Sequence, residues 1–245
     1  MQNYINLEPF KKLQVACKEK DNSISKMKEV FLCFSQKLMN DFYLKILDDN
    51  YEICDIEFYY FSPRHEDFFV HKNKLQKTSP NIYVHKKAWN RAGLGLSFGL
   101  DLKEDNFYGS ILLRGVKHKD NYFTGISRVK NLIFENINIG IIKNKISCKA
   151  LEKNHQSLQA FFDTNSYELL AKKFKQNQQN LQTLKIYSST RLRLSEKNKY
   201  FKDNINLTNF IKAKYRFIRQ DYFEYKNKDF LLENIAKLKE EKELK

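Results

Sequence analysis

Residues 51–61 constrain the fold of this chain more than any other segment, because their side chains alternate in the way that a β-strand requires. One predicted face carries Ile53, Glu57, Tyr59 and Phe61, and the other carries Glu52, Cys54, Ile56, Phe58 and Tyr60. A carboxylate on a largely apolar face is costly to desolvate unless it is hydrogen-bonded or used in chemistry. Two interpretations of Glu57 therefore stay open: a functional carboxylate, or a structural one that backbone N–H groups or an arginine such as Arg114 satisfy.

The remaining periodicity predicts a helix, sheet and helix order. Helical spacing of apolar residues appears over 23–47 and again over 155–181, where Asn165 and Glu168 form a candidate capping box. Further strands are predicted at 81–85, 95–100, 109–116, 132–142, 190–194 and 213–218. We therefore predict one α+β domain over residues 1–245, with a curved, mostly antiparallel sheet flanked by helices. Its parts are a helical N-terminal layer at 1–48, a core at 50–220 and a charged helical tail at 225–245.

The chain is strongly basic, with a formal net charge of +15 at pH 7. This charge favours a polyanion or an anionic membrane surface as partner, although an AT-rich genome would also enrich lysine. No apolar run approaches the roughly 18 residues that span a bilayer, and the N-terminus lacks the apolar core of a signal peptide. The four cysteines lie far apart, so we expect neither disulfides nor structural zinc. These features predict a cytoplasmic protein without membrane contact.

All seven glycines fall between Gly93 and Gly140. Average usage would give about 17 in a chain of this length, so we expect these few where φ is positive or the backbone is closely approached. Cationic groups accompany them: Arg114 ends an apolar strand, and Ser127, Arg128 and Lys130 follow a glycine turn. Hydroxyls, cations and backbone N–H groups of this kind contact DNA phosphates without reading sequence.

Two other groups of side chains are candidates for ligand binding. His65, Asp67 and His71 lie within one short segment and suggest a metal site, but their spacing matches no strong metal motif. The same side chains would also suit the lining of a cleft or hydrogen bonds within a loop. Tyr83 and His85 share one face of a predicted strand, where their rings could stack on a planar ligand or pack in the core.

The order of these pieces resembles the alkyladenine (3-methyladenine) class of DNA glycosylases over roughly residues 33–220. The pieces that carry the resemblance are Ile56-Glu57-Phe58-Tyr59, His71, Ile82-Tyr83-Val84-His85, the glycine-rich segment 93–99, Ile111-Leu112-Leu113-Arg114, Gly125-Ile126-Ser127-Arg128-Val129, Arg191-Leu192-Arg193-Leu194 and Tyr215-Arg216-Phe217. The sequence departs from the family in three places. Gly99 stands near the family's asparagine, Gly-Ile-Ser replaces Gly-Pro-Ser, and the segment before Tyr83 is shorter.

The resemblance implies a role for each matched residue. Glu57 would be the general base that activates water, as suits an oxocarbenium-like transition state. The pocket for the extruded base would be lined by Tyr59, His71, Tyr83 and His85. The DNA-facing residues would be Arg114, Ser127, Arg128 and Lys130, with Trp89 near the position of the family's wedge aromatic. No metal or other cofactor is implied.

From these residues we expect a monomeric DNA glycosylase of base excision repair, acting on a modified base in cytoplasmic, nucleoid-associated DNA. Two alternatives stay open. One is a nucleic-acid-binding protein without catalysis, which would gain little from a buried carboxylate beside phosphates. The other is a metal-dependent nuclease built on His65, Asp67 and His71.

Overall fold

The computed structural model of the protein describes residues 7–78, 81–85, 89–101, 106–144, 151–153, 155–164, 167–172, 183–192, 194 and 205–227. Helices α1 to α6 span Leu7–Cys17, Ile24–Asp41, Ile126–Lys143, His155–Thr164, Ile205–Lys212 and Gln220–Lys226. Strands β1 to β10 span Phe42–Ile46, Asp49–Ser62, His65–Glu66, Ile82–Val84, Leu94–Ser97, Tyr108–His118, Asn121–Thr124, Tyr167–Ala171, Ile186–Ser189 and Arg216–Arg219. Short 3-10 turns lie at Lys74–Lys77 and Trp89–Arg91.

These strands form one sheet with the order β4-β5-β6-β2-β1-β8. Strand β10 pairs with β2 and β9, β3 pairs with β2, and β7 pairs with β6. Every pairing between the described strands is antiparallel. The predicted α+β class is thereby confirmed, and β2, the predicted strand 51–61, lies at the centre of the sheet.

Helix α2 covers one face of the sheet and builds the main hydrophobic core. The Ser23 side chain caps the helix by accepting a hydrogen bond from the Lys26 N–H. The buried positions of α2 follow helical spacing, and Phe31 stacks on Phe58 of β2 with ring centroids 4.2 Å apart. The core cluster extends from Phe10 in α1 to Phe217 in β10.

The predicted helix over 23–47 is too long. It ends at Asp41, because Phe42 takes an extended conformation with φ −128° and ψ 152°. Residues Phe42–Ile46 form β1, which pairs with β2 and with β8. Phe42 fits the helical spacing of the preceding residues, so periodicity alone did not reveal the change. The layer over 1–48 is consequently not wholly helical.

The predicted strand at 132–142 is wrong, since these residues belong to helix α3. Its buried face includes Val129, Ile133, Ile137 and Ile141, each four residues from the next. β-Branched residues favour strands intrinsically, and tertiary packing overrides that preference here. The N-cap of the helix is Gly125, whose φ of 97° is rarely accessible to other residues.

The second half of the sheet also differs from the prediction. Helix α4 ends at Thr164, and Tyr167–Ala171 is strand β8 rather than helix. Glu168 of the proposed capping box lies in that strand, while Asn165 lies outside the described residues. The predicted strand at 190–194 is displaced, because the observed strand β9 is Ile186–Ser189. The tail beyond residue 227 lies outside the described residues.

None of the helices in the described ranges is long and apolar enough to cross a membrane.

Candidate active site

The two faces of β2 separate the core from the candidate site. Ile56 and Phe58 belong to the main core cluster, so the alternating residues Glu57 and Tyr59 point to the opposite face. The pairing of β2 with β6 is irregular between Ile53 and Ile56. This irregularity also brings Ile53 into the core cluster, so the prediction that it shares a face with Glu57 is wrong.

The Glu57 carboxylate is fully buried and receives hydrogen bonds from three donors among the residues that the structure describes. Its Oε1 accepts from the Leu192 backbone N–H at 2.7 Å. Its Oε2 accepts from the Tyr59 hydroxyl at 3.0 Å and from Nη1 of Arg114 at 3.1 Å. An ionised carboxylate has about four acceptor positions, so these donors leave one on Oε1.

The contacts that the structural interpretation of Glu57 anticipated are therefore present. Arg114 and a backbone N–H both bind the carboxylate. Burial, together with the Glu57 carboxylate, raises the pKa of the Tyr59 phenol, which keeps the hydroxyl protonated as a donor. The Arg114 side chain was predicted to contact a DNA phosphate. It is only 12 % exposed and is directed toward Glu57 instead.

A second buried ion pair, between Arg191 and Asp67, holds two of these donors in place. The Arg191 guanidinium binds both Asp67 oxygens, at 2.5 and 3.3 Å, and two backbone carbonyls. It also lies 4.8 Å from the centre of the Tyr59 ring, and the next residue, Leu192, supplies the N–H to Glu57. Burial acts to lower the pKa of Arg191, but the Asp67 carboxylate more than offsets it and the pKa is raised. Arg191 and Asp67 thus fix the position of two of the three groups that hold Glu57.

A third arginine and carboxylate adjoin the site. Arg216 of β10 pairs in register with Glu57, and its guanidinium binds the two oxygens of Asp55 at 2.9 and 2.7 Å. Bidentate pairs of this kind are the strongest hydrogen-bonded ion pairs in proteins. The buried carboxylates Asp55, Glu57 and Asp67 are thus each matched by one arginine.

A row of paired residues connects Glu57 to an aromatic group on the same face. Glu57 pairs with Leu112, Leu112 with Gly95, and Gly95 with Tyr83. Directly paired residues of antiparallel strands project to the same side, so Tyr83 shares the face of Glu57. Between them the row carries the Leu112 side chain but none at Gly95, where a methyl group would lie 3.5 Å from Nε2 of His85.

Three of the predicted pocket residues come together at the end of this row. The rings of Tyr83 and His85 lie 4.9 Å apart, and those of His71 and His85 lie 5.1 Å apart. The Tyr83 hydroxyl is 3.5 Å from Nδ1 of His71. Tyr83 is buried, His85 is partly buried and His71 is exposed, so the two histidines present this group to solvent.

The predicted DNA contacts at the start of α3 differ in their exposure. Arg128 is exposed, and the Ser127 hydroxyl donates a hydrogen bond to the Asn90 carbonyl. Lys130 is buried, and its ammonium group donates to the Trp89 carbonyl. Lys130 therefore does not face solvent, as a phosphate contact would require.

Trp89 packs against the protein rather than projecting from it. The Lys130 ammonium lies 3.5 Å above the Trp89 ring, and the ring contacts Phe134 with centroids 4.9 Å apart. The aromatic face and the carbonyl both attract the cation, which offsets part of the cost of its burial. The expected wedge position is thus anchored to α3.

The side chains of the metal-site alternative do not converge. His65 is buried, with Nδ1 2.7 Å from the Asn22 carbonyl and Nε2 3.3 Å from the Tyr215 hydroxyl. Burial lowers the pKa of His65, while Asp67 is bound by Arg191. Within the described part of the chain, no group of three His, Cys, Asp or Glu side chains is placed to hold a metal ion.

No protein-family model matches the chain, and no curated protein matches it.

The supporting roles of Asp67 and Arg191 were not predicted from the sequence. Asp67 was predicted as a metal ligand or as a residue that lines a cleft or hydrogen-bonds within a loop, and Arg191 as part of the family resemblance. Glu57, Asp67 and Arg191 stand within or beside apolar segments of the sequence, and buried charges need partners. That pattern was the signal from which ion pairs among such residues could have been predicted.

Proposed function

We propose that this protein is a DNA glycosylase that extrudes a modified base, alkylated or otherwise altered, and hydrolyses its N-glycosidic bond. One observation carries the proposal: the Glu57 carboxylate is buried and fixed by three donors, yet no donor among the described residues occupies the second acceptor position of its Oε1. A water bound there would be oriented by a carboxylate that cannot reorganise. Preorganisation of this kind is a main source of catalytic rate.

The proposed reaction is a hydrolysis at the sugar. As the bond between C1′ and the base nitrogen breaks, the electron pair leaves with the base and positive charge develops on the sugar. The water oxygen attacks C1′, and Glu57 accepts the proton that the water loses. The negative carboxylate also stabilises the oxocarbenium-like transition state.

The aromatic group of His71, Tyr83 and His85 supports a role in holding the extruded base. A base that leaves the duplex loses its stacking, which aromatic walls restore. Gly95 leaves space beside this group, because it carries no side chain on the face that the group shares with Glu57. Tyr59 and Leu112 lie on the same face of the sheet.

The net charge of +15 supports DNA as the partner, because counterion release drives such binding. We propose that the protein acts as a monomer on cytoplasmic, nucleoid-associated DNA without a metal or other cofactor. Base excision repair is the process that this activity would serve.

A second candidate is a nucleic-acid-binding protein without catalysis. The observation that favours it is the complete burial of Glu57 against Arg114, which suits a purely structural ion pair. In that case, the same sheet face would bind DNA without breaking a bond.

The experiment that separates the two is a screen of oligonucleotides, each with one modified base, for strand cleavage after alkali. A glycosylase leaves an abasic site, so cleavage should appear only after alkali and should persist in EDTA. No cleavage with any base would favour the binding protein. Loss in EDTA with recovery on adding a divalent metal would favour the nuclease.

A further inference from the structure

A patch of aromatic rings and lysines lies on strands β7 and β9 and helix α6. The side chains of Phe223 and Tyr225 are 39 % and 49 % exposed, which is unusual for large aromatic residues. Tyr225 lies 4.7 Å from Tyr122 and Phe223 lies 5.0 Å from Tyr187, measured between ring centroids. Phe223 and Tyr225 are two residues apart on the helix, so the two ring pairs lie on either side of α6. We call these four residues the α6 aromatic patch.

Lysines flank both ring pairs. The Lys117 ammonium lies 5.6 Å from the centre of the Tyr122 ring, and the Lys185 ammonium lies 5.4 Å from that of Tyr187. Among the described residues, the exposed carboxylates nearest to the patch in sequence are Asp120 and Glu224. The exposed Lys119 and Lys226 offset these two, so the described residues of the patch carry a net positive charge through Lys117 and Lys185.

Hydrogen bonds hold the Tyr122 ring and the start of α6 in place. Arg219 donates to both oxygens of Asp221, at 2.7 and 2.8 Å. The Tyr122 hydroxyl donates to the same carboxylate at 2.7 Å, which ties β7 to the start of α6. Rings fixed before binding lose little conformational entropy when a partner stacks on them.

The patch adjoins the candidate active site on the same face of the sheet. Tyr222 of α6 packs on Gly115, where a methyl group would come within 2.5 Å of the Tyr222 ring. Gly115 pairs with Asp55, whose carboxylate binds Arg216, the register partner of Glu57. Helix α6 therefore covers the Glu57 face next to Arg114.

We propose that the α6 aromatic patch binds a single-stranded stretch of DNA by stacking on unpaired bases, with Lys117 and Lys185 on the phosphates. Exposed rings interleaved with lysines are the chemistry that binds single strands without sequence preference. This inference rests on the proposed function in taking DNA as the partner. It adds that the strand beside the extruded base is unpaired and runs across α6.

The test compares three double variants with the wild-type protein by fluorescence anisotropy, using a labelled thymidine oligonucleotide of about 20 nucleotides and a duplex of the same length. The first variant is Phe223→Ala/Tyr225→Ala, and the second is the conservative Phe223→Tyr/Tyr225→Phe. The matched control, Ile139→Ala/Ile142→Ala, removes two side chains of α3 that are 61 % and 70 % exposed. The single variant Tyr225→Ala serves if the first double variant does not fold.

The alanine variant should lose about tenfold or more in affinity for the single strand and distinctly less for the duplex. The conservative variant and the α3 control should bind as the wild type does. Equal affinity of the alanine variant and the α3 control for the single strand would overturn the inference. An equal loss on duplex and single strand would also overturn it, because stacking needs unpaired bases. These oligonucleotides carry no modified base, so the outcome is distinguishable from a failure of base release.

Discussion

Replacing Asp67 with asparagine should destabilise the protein strongly, because it breaks the buried ion pair beneath the candidate active site. Both side chains of the pair are fully buried, and Arg191 binds both Asp67 oxygens. The asparagine side chain would keep the shape of the aspartate but would leave the guanidinium charge uncompensated. Breaking a buried pair by removing one partner costs about 3–5 kcal/mol.

The matched control is Asp101→Asn at the surface pair with Lys77. Its ions lie 3.3 Å apart, and the Asp101 side chain is 60 % exposed. Exposed pairs contribute about 0–1 kcal/mol, so this variant should remain close to the wild type. For a chain of this size, each kcal/mol lowers the Tm by about 2–4 °C, which gives about 6–20 °C for Asp67→Asn.

Urea unfolding followed by circular dichroism measures both variants, with thermal melting as a second readout. The two free energies of unfolding should differ by about 2 kcal/mol or more. If Asp67→Asn and Asp101→Asn fall within about 1 kcal/mol of each other, the Asp67–Arg191 pair does not anchor the site as described.

Three further predictions concern packing, pH and salt. Gly115→Ala should lower the free energy of unfolding by about 1–3 kcal/mol, since the added methyl group would overlap the Tyr222 ring. Gly95→Ala should lower it less, because the atoms around that position lie at ordinary van der Waals distance. Chemical unfolding of the two variants compares these free energies. Burial lowers the pKa of Lys130 from 10.5 to about 8, so the unfolded state binds more protons between these values. The free energy of unfolding should therefore rise with pH over that window, and urea titrations of Lys130→Met should lack this rise. DNA affinity, measured by anisotropy titration, should fall steeply as salt increases from about 50 to 200 mM, and salt-insensitive binding would contradict an electrostatic interface.

Local pattern was sufficient to predict the central elements. The alternation in 51–61 predicted β2, and Glu57 does lie on the face opposite Ile56 and Phe58. The pattern could not reveal the irregular pairing at Asp55, because that depends on the neighbouring strand β6. Helix α3 was mistaken for a strand because its buried face consists largely of β-branched residues.

The candidate site was only partly predictable. Arg114 and a backbone N–H bind Glu57, as one of its two interpretations required, and His71, Tyr83 and His85 cluster. The hydrogen bond from Tyr59 to Glu57 was not predicted. The partners that orient them are distant in sequence: Asp67 and Arg191 are 124 residues apart, and Asp55 and Arg216 are 161 apart. Periodicity carries no information on such pairings.

Single-turnover release of the modified base by Glu57→Gln tests the central claim most directly. The rate is expressed per folded molecule, because the amide also loses the charge that pairs with Arg114 and so lowers stability. The control is Glu52→Gln on the same strand, whose carboxylate pairs with Lys172 and Arg219 away from Glu57. Glu57→Gln should release the base at least about 100-fold more slowly, while Glu52→Gln should match the wild type. A folded Glu57→Gln protein with an undiminished rate would contradict the assignment of Glu57 as the general base.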